Sequence, residues 1–426
     1  MPKQPDIILK PQLSLFFKIV TGILVGVYLL NCLTPLRLHV DMLRYYNIKE
    51  CIEFGCPPDS EAAKDYLPYG YTVLLLLLSK LGILKSFTIV LINCIYLFAA
   101  LYLLKKMFAA TLQPFFFLIV VLLSWTIIKF VVHPLSELQY LFFSIASLYF
   151  YQQYSDTKKI LPLLLAFIFG IIGFLTRTVG ITLIAALIVS LIWGYRKQLI
   201  LLIRKNRILI AVIILSAIGV IIFSKQLGLN HYRGVMSKQF QEGKSFGQII
   251  QWHFTEWAEI LLNTSVAKAI NYFPPGIGKI FFIILGVLLF AGFLFILFRR
   301  RNNLPFVVKA YLLCYSLLIF NWPFYDPRFW VPIIPLIAII ITQTIFFDKS
   351  KPLKTVLSSM FIVYALLGVF AIGFITYTSL NKRSLARTQA NGVYRNEYET
   401  HFFGKPQSDT ARHIDASALH ILQKYD

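Results

Sequence analysis

An all-α, polytopic membrane protein of about eleven helices is what this sequence predicts, on three observations. Of its 426 residues, 58% are hydrophobic and only 14% charged, and the mean hydropathy is +0.71. The apolar residues fall into runs close to the roughly 20 residues that cross a bilayer. The charges between those runs are sorted by sign, as the orientation of a membrane chain requires. A water-soluble core could not hide so much apolar side chain.

In order, spans are expected near 12–32, 86–104, 113–132, 136–153, 160–175, 178–194, 207–224, 277–298, 304–321, 329–347 and 355–378. The first follows Lys3 and Lys10 and lacks a small-residue cleavage site, so it reads as a retained anchor. The stretch 160–195 is too long for one crossing, and Gly170, Gly173 and Arg177 divide it. Segment 67–84 is ambiguous: its run 73–78 is apolar, yet it opens with Pro68, Tyr69, Gly70 and Tyr71 and carries Lys80. If it crossed, every later loop would change sides.

Charge decides the matter. With 67–84 lying as a juxtamembrane or re-entrant helix, one set of short loops holds Lys105, Lys106, Lys158, Lys159, Arg196, Lys197, Arg204, Lys205, Arg207, Arg299, Arg300, Arg301, Lys349, Lys351 and Lys354. Those fifteen cations face only Asp156 and Asp348, which marks their side as cytoplasmic. The loops 33–85 and 225–276 and the tail 379–426 then lie on the extracytoplasmic side. The chain divides into a membrane domain over 1–378 and a short tail over 379–426, which either covers a site or ends loosely. Within 225–276, the stretch 246–260 has partly amphipathic helical spacing suited to the bilayer surface.

The formal charge of +22 does not signal a nucleic-acid partner. The cations are scattered over loops and tail rather than gathered on one soluble face, and attraction to anionic lipid headgroups accounts for them. Of five cysteines, Cys32, Cys94 and Cys314 sit in or beside spans. Cys51 and Cys56 share the first outer loop, and both a disulfide and two free thiols fit their spacing. Asn263-Thr264-Ser265 satisfies a glycosylation sequon that matters only in a eukaryotic secretory compartment. The Ile-, Lys- and Phe-rich composition leans towards a bacterial plasma membrane.

Several motifs on the outer side resemble polyprenyl-phosphate-sugar glycosyltransferases of the GT-C fold. They are Asp41 just after the first span, Tyr66-Leu67-Pro68-Tyr69-Gly70-Tyr71, and Ser136-Glu137 at the outer start of the fourth span. Leu175-Thr176-Arg177-Thr178-Val179-Gly180 and Tyr325-Asp326-Pro327-Arg328-Phe329-Trp330-Val331-Pro332 complete the order. The chain is most similar in these respects to the family 39-like transferases, which include protein O-mannosyltransferases and lipid A aminoarabinose transferases. Many relatives carry two adjacent prolines where this chain has Leu67-Pro68. Some also carry a large soluble domain, which is missing here. The resemblance implies a GT-C-like fold and an inverting transfer. It further implies that the sugar passes from a polyprenyl-phosphate donor to a glycan, lipid or protein acceptor, with membrane lipids as the other partner.

Such chemistry needs a base for the acceptor proton and positive charge for the departing phosphate. Asp41, at the membrane boundary where neighbours tune a pKa, is the candidate base, against a plain helix cap or a solvated loop residue. Glu137, near the end of an apolar span, either positions the acceptor or pairs with Lys129 or His133. A divalent metal between Asp41 and Glu137 is allowed, but no compact spacing demands one and no cofactor is assigned. Arg177, Arg328 and Arg233 are the candidates for donor phosphate, since guanidinium groups grip phosphate two-pronged. The rival readings are an Asp326–Arg328 ion pair and snorkelling of Arg177 to the headgroups. Arg44, Tyr45, Asp65, Tyr66, Tyr69, Tyr71, His133, His231, Tyr325 and Asp326 are candidates for the substrate and lipid groove. Interfacial anchoring explains the tyrosines equally well. An O-antigen ligase or polymerase would instead place its chemistry in 225–276. A transporter would show paired broken repeats, of which the sequence gives no convincing pair.

Overall fold

The computed structural model describes residues 11–205, 243–299, 304–347, 350–406 and 413–426, with 234, 235, 237 and 239 besides. Every regular element among them is helical. Helix α1 (Pro11–Leu30) leads to α2 (Val40–Phe54), α3 (Tyr69–Lys80) and α4 (Ser86–Met107). Next come α5 (Pro114–Leu122), α6 (Trp125–Val131), α7 (Glu137–Thr157), α8 (Ile160–Thr176) and α9 (Ile181–Lys205). Beyond the gap lie α10 (Phe246–Leu262), α11 (Ile277–Phe298), α12 (Phe306–Phe320), α13 (Ile334–Phe347) and α14 (Lys351–Leu380). The tail forms α15 (Lys382–Thr388), α16 (Arg395–Phe403) and α17 (Ala416–Tyr425).

Five helical segments are long and apolar enough to cross a bilayer: Ser14–Leu33, Ser86–Met107, Thr178–Arg196, Ile277–Phe298 and Lys351–Leu380. Their outward faces carry stripes of apolar side chain, such as Ile277, Ile280, Ile284 and Leu288 on α11 and Ile362, Leu366 and Phe370 on α14. Stripes that large suit lipid rather than water. The expected eleven crossings are therefore not reproduced helix for helix. The run 113–132 is α5 and α6, bent by 67° at a break, and the pair gives a sixth span at most. The runs at 160–175, 304–321 and 329–347 are shorter apolar helices, the last opening with a 3-10 turn at Pro327–Trp330. The run 207–224 lies outside the described residues. Helix α3 has 12 residues, too few to cross alone, in keeping with a juxtamembrane element.

Local chemistry explains the boundaries. The α8–α9 break falls at Arg177, whose backbone is extended (φ −147°, ψ 132°), not at Gly170 or Gly173. Those glycines sit inside α8, where a Cβ would make only ordinary contacts, 3.5 Å from the Tyr140 ring in the case of Gly173. Gly70 is needed more strictly, since a Cβ there would come within 2.7 Å of the Leu175 carbonyl oxygen. A capping box starts α10: Ser245 Oγ accepts the Gln248 N–H, and the Gln248 side chain accepts the Ser245 N–H. At the other end of α10, Asn263 adopts a left-handed conformation (φ 62°) and closes the helix. Its side chain then repairs the α5–α6 break. The amide donates to the carbonyls of Leu123 (2.7 Å) and Tyr364 (2.8 Å), and its oxygen accepts the Trp125 N–H. The sequon asparagine is 2% exposed and fully used.

The tail is folded, not loose. Asn381 and Asp415 cap α15 and α17. Tyr425 packs edge-on against Tyr46 of α2 (5.0 Å) and accepts a 2.7 Å hydrogen bond from the buried Lys49 ammonium. Lys424 pairs with Glu50 at 2.7 Å, and Asp426 accepts the Leu36 N–H at 2.6 Å. Tyr398 Oη receives the Leu38 N–H (2.7 Å) and donates to the Leu36 carbonyl (2.8 Å). The first loop and the tail therefore form one body. Cys51 and Cys56, left open by their spacing, are joined as a disulfide at the end of α2.

Candidate functional site

His39 begins the site. Its Nδ1 accepts the Asp41 N–H (3.2 Å), capping α2 and setting Asp41 in the first turn, where the helix dipole favours a carboxylate. Asp41 Oδ2 lies 2.5 Å from Arg328 Nη2, and Oδ1 lies 3.3 Å from Arg44 Nη1. Arg44 grips Asp65 with two parallel hydrogen bonds (2.8 and 2.7 Å) and stacks over the Tyr66 ring at 4.6 Å. That grip fastens the loop ahead of α3 to α2.

Arg328 sits on the tight turn before α13. Asp326 Oδ1 accepts the Arg328 N–H (3.0 Å), and Oδ2 lies 2.9 Å from Nε. The same Nε is 3.7 Å from Glu137 Oε1 at the start of α7. Arg177, from the α8–α9 break, pairs with that oxygen and donates to Ser136 Oγ at 3.2 Å. Ser136 Oγ is in turn 3.0 Å from Tyr45 Oη, whose ring meets Tyr71 edge-on at 5.0 Å.

Asp41, Arg44, Tyr45, Asp65, Tyr66, Tyr71, Glu137, Arg177, Asp326 and Arg328 thus form one connected set, drawn from five separate stretches of chain. Tyr69 does not join it and is 56% exposed. Arg233 and His231 lie outside the described residues. Glu137 pairs with Arg177, not with Lys129 or His133. Arg177 is turned inward on Glu137 rather than snorkelling. The Asp326–Arg328 ion pair is formed, so two of the three arginines proposed for phosphate, Arg177 and Arg328, already hold carboxylates. A metal shared by Asp41 and Glu137 would have to displace Arg328 from between them. Among the described residues no group of three or more His, Cys, Asp and Glu is placed to hold a metal.

The electrostatics follow from these pairs. Burial alone would raise the Asp41 pKa, but Arg328, Arg44 and His39 outweigh it and hold the carboxyl below its ordinary value. His39 is pushed down, by burial first and then by Arg328. The cluster is not saturated: Glu137 Oε2 and Arg328 Nη1 are buried without a hydrogen-bond partner among the described residues.

A neighbouring cluster was not singled out from the sequence as a site. On α10, His253 Nδ1 lies 2.7 Å from Glu256 Oε2, and Nε2 lies 2.7 Å from the Trp322 carbonyl. Both ring nitrogens face acceptors, an arrangement that favours the protonated imidazole. Burial lowers its pKa, but Glu256 and the Trp322 carbonyl outweigh that and leave it raised. Glu256 also accepts the Asp326 N–H and the Trp330 indole N–H, each at 2.6 Å. Glu256 thereby holds both ends of the turn that presents Arg328. The His-x-x-Glu spacing on one helical face was the available signal.

Beyond His39 lies a cavity of about 610 Å³ between α6, α10, α14 and the tail. His133 and Tyr325 open onto it with His39 and Asp326. His133 Nδ1 donates to the Lys129 carbonyl (2.7 Å), and Nε2 accepts from Gln389 (2.9 Å), the pattern of a neutral imidazole. Tyr325 donates to Glu259 at 3.3 Å. Asp41, Glu137, Arg177 and Arg328 do not line this cavity. No family model, curated protein or solved structure matches the chain.

Proposed function

We propose that the protein is a GT-C-like membrane glycosyltransferase, moving a sugar from a polyprenyl-phosphate donor to an acceptor at the extracytoplasmic face of a bacterial plasma membrane. The observation that carries this reading is Asp41. It is a carboxylate in a helix's first turn, 23% exposed, and joined through Arg328 to Glu137 and Arg177 from distant segments. An acid that stays ionised and reachable beside two guanidinium groups is suited to transfer at a phosphate-bearing carbon.

In this reading the acceptor oxygen attacks the anomeric carbon from the face opposite the phosphate. The carbon–phosphate oxygen bond breaks, its electrons leave with the lipid phosphate, and the acceptor proton passes to Asp41. The lowered pKa of Asp41 makes it a weak base, so the proton moves late, once the acceptor oxygen has become positive. Arg328 is the nearest cation to the departing charge. As it turns from Asp41 towards phosphate, Asp41 loses its strongest counter-ion and becomes more basic. Arg177 pairs with Glu137 and so ties the α8–α9 break to the start of α7.

The test supplies purified protein with radiolabelled polyprenyl-phosphate sugars and candidate acceptors, and measures released lipid phosphate. Release that depends on Asp41 supports the assignment. Near-parental release by a folded Asp41→Asn protein would remove it.

A further inference from the structure

Arg37 is a charge without its natural counterpart. It is 3% exposed, and its contacts are all to neutral oxygens: Thr34 Oγ1 (3.1 Å), Thr378 Oγ1 (3.1 Å), Ser379 Oγ (2.9 Å), the Ile375 carbonyl (3.4 Å) and Gln389 Oε1 (3.5 Å). No carboxylate pairs with it among the described residues. Buried charges are ordinarily paired, because desolvation is costly. Burial pulls even this guanidinium down to about 10. Nη1, whose one contact is the long one to Gln389, has donor capacity left.

Arg37 lines the 610 Å³ cavity, and two further cations share it. Lys129 lies over the Phe130 ring (4.8 Å) and near Trp125 (5.9 Å), and Lys268 lies near Phe374 (5.9 Å). Two carboxylates line the same space. Asp326 is matched by Arg328. Glu259 accepts the Val266 N–H (3.1 Å) and the Tyr325 hydroxyl. One carboxylate is left against three cations, an excess of about two charges. The volume lies within the range of small-molecule sites, roughly 300–1,000 Å³.

We infer that this cavity is a binding site, separate from the Asp41 cluster, for a ligand bearing a phosphate group held by Arg37, Lys129 and Lys268. Phosphate fits better than a carboxylate because the surplus matches a dianion, and because the donor capacity left on Arg37 Nη1 and the two ammonium groups lining the same cavity offer separate donors to its several oxygens. The volume leaves room for the body that carries the phosphate, either a lipid or a soluble sugar. His39, which lines the cavity and caps the Asp41 helix, forms the partition between the two sites. Occupancy here does not depend on the transferase reading, since it concerns binding alone.

The test is equilibrium binding to the full chain in maltoside micelles and phosphate-free buffer. The probes are farnesyl phosphate, farnesol, glucose 6-phosphate and glucose. At least one phosphate should bind and its parent alcohol should not. Farnesyl phosphate alone identifies a lipid headgroup, and glucose 6-phosphate alone a soluble ligand. The double variant K129Q/K268Q, at positions that are not fully buried, should weaken binding by about tenfold or more. Lys64→Gln, on an exposed surface pair, should leave it unchanged. In Arg37→Met, stabilisation of the fold by the bound phosphate should disappear, whereas a purely structural arginine would lower the unliganded stability and spare that increment. Equal binding of alcohol and phosphate, no binding of any probe, or an unchanged affinity in K129Q/K268Q would each overturn the site. Unchanged affinity would move the phosphate elsewhere and leave the transferase reading standing.

Discussion

Two charged clusters meet across the single turn Asp326–Trp330, and they are built on opposite terms. On the α10 side, His253 and Glu256 are fully buried and every polar atom has a partner. On the α2 side, Asp41 is partly exposed, Glu137 receives two arginines on one oxygen, and Glu137 Oε2 and Arg328 Nη1 are left over. A saturated buried network rigidifies a fold. An unsaturated one beside solvent has capacity for something else. The contrast separates scaffold from site more sharply than residue type does, since both clusters are made of acids and cations.

The contrast can be broken by exchanging what each cluster is asked to do. Asp41→Asn should lower turnover by roughly 10²–10⁴, the scale for a positioned acid or base, with thermal unfolding close to the parent. Both are read on one preparation by lipid-phosphate release and a melting curve. A large fall in melting temperature would reclassify Asp41 as scaffold. Glu256→Gln should do the reverse. It leaves the His253 imidazolium buried without its carboxylate, and such losses cost about 3–5 kcal/mol of stability. Denaturant titration in mixed micelles measures it.

A smaller effect sharpens the arginine side. Arg328→Lys keeps the charge but loses the two-pronged geometry. Donor binding should weaken by about ten- to a hundredfold, as expected when a charge-assisted hydrogen bond is lost. Lys in place of Arg with parental affinity would free Arg328 from any role in donor recognition. The smallest effect is in pH. The His253 pKa is raised on folding, so its stabilisation is complete below the ordinary value of 6.5 and fades as pH rises through the higher folded value. Melting temperature should therefore decline as pH rises above 6.5, and His253→Gln should flatten that decline.

Much of this arrangement was legible in the chain. The apolar runs gave the helical class, and the charge sorting put Asp41, Glu137, Arg177 and Arg328 on one expected side, where across nearly three hundred positions they meet as ion pairs and not around the 610 Å³ cavity. Partners within the set were not legible, because sequence order does not say which arginine reaches which carboxylate. Eleven spans are not reproduced among the described residues, where helices bend or stop short: a break at Leu123–Ser124 needs Asn263 to become stable, and nothing local announces that. The tail hid for a related reason. Its buried Tyr398 and Tyr425 are held by partners more than three hundred positions away. Arg37 escaped notice because a lone arginine in a loop acquires meaning only when its surroundings prove to lack a carboxylate.

Asn263 carries a consequence for how this protein is made. Its side chain stitches three backbone segments together from inside the molecule, yet it heads a sequence that oligosaccharyltransferases accept on unfolded chains. A glycan attached during synthesis in a eukaryotic secretory host would occupy the nitrogen that Leu123 and Tyr364 require, and the kinked helix could not close. Yields from such hosts should therefore recover when glycosylation is blocked or Ser265 is replaced by alanine, whereas a bacterial host meets no such obstacle.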